Sequence, residues 1–266
     1  DPAADDRRDR VGNEFPDPNL IFARVAETAT YMDVTSREQA MTAGSMIRVK
    51  SRDGFEFDAY RVAAQGARKG GVIVIQEIFG LSDHIKEMTE RFGAAGYEAI
   101  APSMYDRAAP GFIVQPPDVA AGMAKGRELA MGNGQDNAMN DVGGVFDVLS
   151  KSGKVFITGY CYGGTMSWLA ASRIDGIAAA SCYYGGNIPQ MVGLKPSCPT
   201  ICHFGAKDAH IPLVGAVDKI EAAHPDVPVY IYDAGHGFAR KQSADYDAAS
   251  DALAFERTLA LFGDVT

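Results

Sequence analysis

Lys154-Val155-Phe156-Ile157-Thr158-Gly159-Tyr160-Cys161-Tyr162-Gly163-Gly164 is the stretch from which the fold can be read. Its first half is an apolar run bounded by turn residues, which predicts a strand over 154–158 covered on both faces. Its second half is G-x-C-x-G, followed by a helical pattern from about Gly164 to Ser172. Strand, sharp turn and helix in that order present a nucleophile at the end of a sheet, here with Cys where Ser is usual. Glycines suit such a turn because the nucleophile's backbone is strained and neighbouring chains approach closely. The start of the helix lends partial positive charge, which favours a thiolate. The N–H of Tyr162 would face an incoming oxyanion. A cysteine is more often just a small buried hydrophobe, but the strand, glycines and helix around Cys161 outweigh that reading.

Working outward, the same alternation of strand and helix recurs. Met46–Ser51 and Phe55–Val62 flank Asp53-Gly54, a hairpin signal. Gly71–Gln76 is another apolar run bounded by turns. Ser82 is placed to cap a helix reaching about Ala95, with Gly96 at its end. A short strand over Glu98–Ala101 stops at Pro102, and helical periodicity covers about 117–131 and 136–151. Strands over Ile177–Tyr184, Pro199–Gly205 and Val227–Asp233, with helices at about 212–223 and 242–262, complete the set. A hairpin leading into repeated βα units predicts an α/β fold, a mostly parallel eight-strand sheet with helices on both faces. Ligands then bind beyond the carboxyl ends of the strands.

Polar residues at those ends supply partners for Cys161. The order for this arrangement is nucleophile, acid, histidine. Asp208 follows the strand 199–205, and His236 follows the last strand between two glycines. His236 would take the thiol proton and later pass it to the leaving group, with Asp208 holding the tautomer and stabilising the imidazolium. Glu77 directly follows the strand 71–76, where a carboxyl group has a raised pKa unless paired. His84, His210 and His224 read as solvated histidines, and Cys182 as core. Cys198-Pro-Thr-Ile-Cys202-His203 invites a zinc reading, but in a strand Cys202 and His203 face opposite ways, and no second pair of ligands exists. No metal site is expected.

Composition excludes other classes. Over 266 residues, 25 Lys+Arg against 34 Asp+Glu give a net charge of -9. Nucleic acid or an anionic membrane surface is therefore not the expected partner. No apolar run reaches transmembrane length. Four cysteines do not make a disulfide scaffold, so a reducing, cytoplasmic setting is expected. Residues 1–40 read as an N-terminal arm or extension, charge-dense over 1–19 and without the basic and apolar regions of a secretory leader. Residues 41–266 read as the catalytic domain.

Across about 41–262 the chain resembles the dienelactone hydrolases (carboxymethylenebutenolidases) of the α/β-hydrolase superfamily. The signatures are Gln76-Glu77-Ile78-Phe79-Gly80, Tyr105-Asp106-Arg107-Ala108-Ala109-Pro110-Gly111, Gly159–Gly164, Tyr183-Tyr184-Gly185, Asp208 and His236-Gly237-Phe238-Ala239-Arg240. The resemblance implies a triad of Cys161, Asp208 and His236 with no metal or organic cofactor. It gives Glu77 a part in deprotonating the thiol when substrate binds. It makes Ile78 the second oxyanion N–H, and Arg107 and Arg240 the anchors of a substrate carboxylate, a role for which planar guanidinium forks are suited. Tyr162 is bulkier than the aliphatic residue common at that place. The function implied is hydrolysis of an ester or lactone bearing a carboxylate, a dienelactone giving maleylacetate, by a monomer or homodimer. One rival is a carboxylesterase or thioesterase of the same fold acting on neutral substrates. The other is a non-catalytic protein that binds small acids.

Overall fold

The computed structural model describes residues 43–114 and 119–265; the expected arm over 1–40 lies outside them. Eight strands form one sheet: β1 Ser45–Lys50, β2 Glu56–Val62, β3 Gly70–Ile75, β4 Tyr97–Pro102, β5 Val155–Tyr160, β6 Ile177–Tyr183, β7 Thr200–Gly205 and β8 Val229–Tyr232. Their order is β1-β2-β4-β3-β5-β6-β7-β8. The first two pairings, β1 with β2 and β2 with β4, are antiparallel. All later ones are parallel. The β1–β2 turn closes at Gly54, whose φ of 92° is why glycine stands there.

Among the described residues four α-helices connect the strands, α1 Asp83–Ala94, α2 Val119–Leu149, α3 Tyr162–Arg173 and α4 Leu213–Ala223, and a fifth, α5 Ala248–Asp264, follows the last strand. The two helices expected over 117–131 and 136–151 are the halves of α2, which breaks at Gly134 (φ 68°). Ser82 stands at the N-cap of α1 with extended backbone, but its hydroxyl makes no capping bond. The last helix begins later than the sequence pattern suggests, because Asp247 caps it by accepting from the Ser250 N–H at 2.7 Å.

Alternation along the central strands feeds two cores. Val72, Val74 and Phe156 face one cluster, where Phe92 of α1 and Phe262 of α5 pack; the Phe156 and Phe262 rings stack at 4.7 Å. Ile73, Ile75 and Ile157 face the other, with Val142 of α2 and Leu169 of α3. Each buried side chain of this size contributes about 1.5–3 kcal/mol of transfer free energy, so a register slip in β3 or β5 would exchange the two cores and is strongly disfavoured. The sheet is thereby a rigid platform whose carboxyl edge carries the polar loops. No helix among the described residues is long and apolar enough to cross a membrane.

Candidate active site

Cys161 stands between β5 and α3 with φ 56° and ψ −111°, one of two non-glycine residues with positive φ among those described. Such a conformation costs of order 1–3 kcal/mol and persists only where the surroundings hold it. Here they do. The Cys161 N–H donates to the Tyr183 carbonyl at 3.0 Å. A Cβ on Gly163 would lie 2.3 Å from the Ile75 carbonyl oxygen, so glycine lets α3 start against the end of β3. The elbow is therefore a consequence of three strands converging on the start of α3.

His236, after β8, bonds through Nδ1 to Asp208 Oδ2 at 2.7 Å, and Cys161 is among the groups that support its charge. The Asp208 side chain is fully buried, and its Oδ1 accepts from the N–H groups of His210 (2.7 Å) and Ile211 (3.0 Å). Burial would raise the Asp208 pKa, but the His236 bond and these N–H groups hold it below the usual carboxylate value. Burial likewise works against the imidazolium of His236, yet the bond to Asp208 and the influence of Cys161 outweigh it and raise the pKa to about 10. Asp208 and Cys161 together thus favour the charged form of His236.

Glu77, just past β3, is 1% exposed. Burial pushes its pKa up, opposed by the charges of Arg240 and His236. Its Oε2 lies 3.5 Å from Arg240 Nε, an ion pair without a hydrogen bond. The Arg240 guanidinium rests over the Phe79 ring at 4.6 Å, so the QEIFG segment supplies both its charge partner and its apolar support. The Tyr162 N–H opens α3, where no intrahelical acceptor exists. Neither it nor the Ile78 N–H donates to a backbone carbonyl among the described residues. The Ile78 peptide is braced from behind by α2, since a Cβ on Gly126 would lie 2.0 Å from its carbonyl oxygen. The Tyr162 side chain itself turns into the second core, its ring 5.9 Å from that of Tyr105.

The second arginine is elsewhere engaged. Arg107 donates to Asp141 at 2.7 Å, to Asp53 at 2.9 Å and to Ser51 Oγ at 3.0 Å, and it stacks over Phe55 at 4.6 Å. Among the described residues no contact joins it to Cys161, His236, Glu77 or Arg240. Its hydrogen bond to Asp141 raises its pKa further, and Asp53 falls to about 2 through its bond to Arg107. Two carboxylates, on the β1–β2 turn and on α2, thus hold this guanidinium.

Two of the three histidines read as solvated are in fact buried. His84 is 2% exposed and lies edge-on to Tyr160 at 5.2 Å, with neither ring nitrogen hydrogen-bonded; burial lowers its pKa to about 3, so it is neutral. His224 is 5% exposed, its Nε2 2.8 Å from the Val192 carbonyl. Only His210 is exposed, and its ring meets His236 edge-on at 5.3 Å. His203 has both nitrogens hydrogen-bonded, to Ser181 Oγ (3.0 Å) and Tyr232 OH (2.8 Å). Cys182 is core. Sequence reasoning missed Tyr184, whose ring lies 5.0 Å from that of His236, and Gly126. The paired tyrosines after β6 were a signal for the first; nothing local marked the second.

Sheet order, helices on both faces and a strained residue between β5 and α3 define an α/β-hydrolase. The family model for the dienelactone hydrolase family matches residues 57–266, and the chain belongs to that family. Carboxymethylenebutenolidase of Pseudomonas putida is 31% identical over 228 residues, covering 80% of this chain and 93% of the relative. Carboxymethylenebutenolidase 1 of Cupriavidus pinatubonensis is 29% identical over 230 residues, covering 81% and 94%. The crystal structure of a proposed dienelactone hydrolase from Klebsiella pneumoniae superposes with a TM-score of 0.67 at 27% identity, covering 82% of this chain and 99% of that one. The protein is a hydrolase of this family.

Proposed function

We propose that the chain hydrolyses a small ester or lactone bearing a carboxylate, a dienelactone, with Cys161 as nucleophile. The observation that carries this reading is Cys161 in strained backbone at the carboxyl edge of the sheet, with His236, 2.7 Å from Asp208, held in its charged form by Asp208 and Cys161. The Cys161 sulfur attacks the lactone carbonyl, and its proton passes to His236. The N–H groups of Ile78 and Tyr162 stabilise the oxyanion. The ring C–O bond breaks, and His236 returns the proton to the enolate oxygen, which stays tethered to the acyl-enzyme. Water then attacks the thioester with His236 as base, the C–S bond breaks, His236 returns the proton to the sulfur, and the ring-opened dicarboxylate (maleylacetate) is released. Glu77, kept basic by burial, assists removal of the thiol proton when substrate enters.

Arg240 anchors the substrate carboxylate. A guanidinium with a hydrogen-bonding face uncommitted to Glu77 is available for a bidentate contact. For Arg107 to join it, that side chain has to leave Asp141 and Asp53. The natural setting proposed is cytoplasmic, where the thiol stays reduced.

An absorbance assay tests the proposal with a dienelactone beside a neutral aryl ester. The wild type is expected to consume the lactone faster, and Cys161→Ala to lose about 10³-fold or more in kcat. Turnover surviving in Cys161→Ala would sink the mechanism, and preference for the neutral ester would sink the substrate class.

A further inference from the structure

Two glycines on the amino half of α2 take no part in the triad. Gly126 lies inside the helix and Gly122 one turn before it, both ahead of the break at Gly134. A glycine in a helix interior costs about 0.5–1 kcal/mol relative to alanine. Their spacing puts both on one face, and that face meets the segment that follows β3. A Cβ on Gly126 would lie 2.0 Å from the Ile78 carbonyl oxygen and 3.0 Å from its carbonyl carbon. One on Gly122 would lie 2.5 Å from Val114 Cγ1, and the Val114 N–H donates to the Phe79 carbonyl at 2.9 Å. Gly132, on the same half of the helix, has open space where its Cβ would stand.

The contact at Gly126 is made on backbone, which cannot give way as the end of a flexible side chain can. The α-hydrogen in place of the Cβ points at the Ile78 oxygen, a C–H···O contact worth about 0.5–1 kcal/mol. No backbone N–H among the described residues donates to that oxygen. On the other side, a Cβ on Gly163 would lie 2.7 Å from the Gln76 carbonyl oxygen. The peptide that carries the Ile78 N–H is thus set between two carbonyls, each abutted by a helical glycine, Gly163 of α3 and Gly126 of α2. Gly80 pairs with Ile113 and closes the segment at its far end.

We propose that Gly126 is a positioning residue for the oxyanion donor. It lets α2 lie against the Ile78 carbonyl and so holds the Ile78 N–H at the angle that meets the substrate oxygen, with Gly122 setting the approach of the helix through Val114. This rests on the proposed role of the Ile78 N–H and adds what fixes its direction. A hydrogen bond weakens steeply as its angle closes toward about 120°. A tilt of this residue therefore removes stabilisation from the transition state while thiol, base and arginine stay in place.

Gly126→Ala forces the Ile78 carbonyl to shift. Expected is a fall of about tenfold or more in kcat at unchanged KM, short of the roughly 10²–10³-fold that loss of a whole donor costs. The fall should be equal for an anionic and a neutral ester, since both form the oxyanion; a fall confined to the anionic ester would mean a disturbed Arg240 and overturn the inference. Alkylation of Cys161 by iodoacetamide, which expels iodide and forms no oxyanion, should keep its wild-type rate and pH profile. Gly132→Ala should change none of these. Wild-type kcat in Gly126→Ala, or a loss of alkylation as large as the loss of turnover, would also overturn the inference. Should Gly126→Ala fail to fold, Gly122→Ala presses only on a side chain: a smaller fall in kcat is expected, restored by adding Val114→Ala, and wild-type kcat there sinks the inference equally. The role of Ile78 is read separately, by replacing it with its α-hydroxy acid, which exchanges the N–H for an oxygen. Wild-type turnover in that variant rejects the Ile78 role whatever Gly126 does. Where turnover falls, adding Gly126→Ala should lower it no further, and a second loss of full size would count against the positioning.

Discussion

Arg240 and Arg107 each follow the end of the sheet, and they are placed in opposite situations. Arg240 faces one carboxylate at 3.5 Å and makes no hydrogen bond to it through Nε. Arg107 is held by two carboxylates and a serine hydroxyl, all within 3.0 Å at their shortest. The same side chain is thus a loosely held cation in one loop and a structural tie in the other. What separates them is the company each keeps: Asp141 reaches Arg107 from α2, 34 positions further along the chain. A cation already satisfied by two carboxylates, one of them buried, has little to gain from a substrate anion, whereas a poorly satisfied one gains a good deal.

Removing each arginine should break the comparison in opposite directions. Arg107→Ala leaves Asp141, whose side chain is 1% exposed, without its partner, at a cost of about 3–5 kcal/mol in stability. Urea titration should find that loss, with KM changed little in the fraction that remains folded; a large rise in KM with intact stability would make Arg107 an anchor after all. Arg240→Ala should raise KM for an anionic ester about tenfold or more, as expected for about 1.5–3 kcal/mol of charge-assisted bonding, and leave a neutral ester nearly unaffected. Equal effects on the two esters would remove the anchoring role and with it the contrast.

A smaller effect concerns pH. The folded-state pKa of His236 is raised to about 10 from 6.5, so the imidazolium stabilises the fold in full below about pH 6.5. That contribution fades as pH rises through about 10. In Cys161→Ala the Asp208 bond alone supports the imidazolium; the upper end of the window moves down and the sign is unchanged. Tm of this variant, measured from pH 6 to 10, should therefore fall by more than Tm of Cys161→Ala/Asp208→Asn. Parallel curves would mean that Asp208 does not hold the charge.

Much of this was legible from residue order. The runs Gly71–Gln76 and Lys154–Thr158 announce central strands because only strands buried on both faces lack polar alternation. The glycines around Cys161 mark close approach, and the structure shows what approaches: the carbonyls of Ile75 and Tyr183. Asp208 and His236 are identifiable because each directly follows a strand in the chain order this turn requires. Less legible were His84 and His224, polar by letter yet buried under neighbours from distant segments, and Ser82, correctly sited as a cap but making no capping bond. Tyr184 shows the same limit from the other side. The sequence places it at the end of a strand, while its strained backbone and unpaired hydroxyl are properties of position.

The sequence by itself determined the eight-strand α/β platform, the elbow and the order of acid and base, because apolar periodicity, glycine and chain order act locally and survive without knowledge of neighbours. Tertiary structure alone decided which charges meet. Arg107 against Asp53 and Asp141, Arg240 against Glu77, and Tyr184 against His236 are encounters between segments far apart in the chain. Electrostatic and hydrogen-bond energies depend on ångström separations and on exclusion of water, which no run of letters specifies.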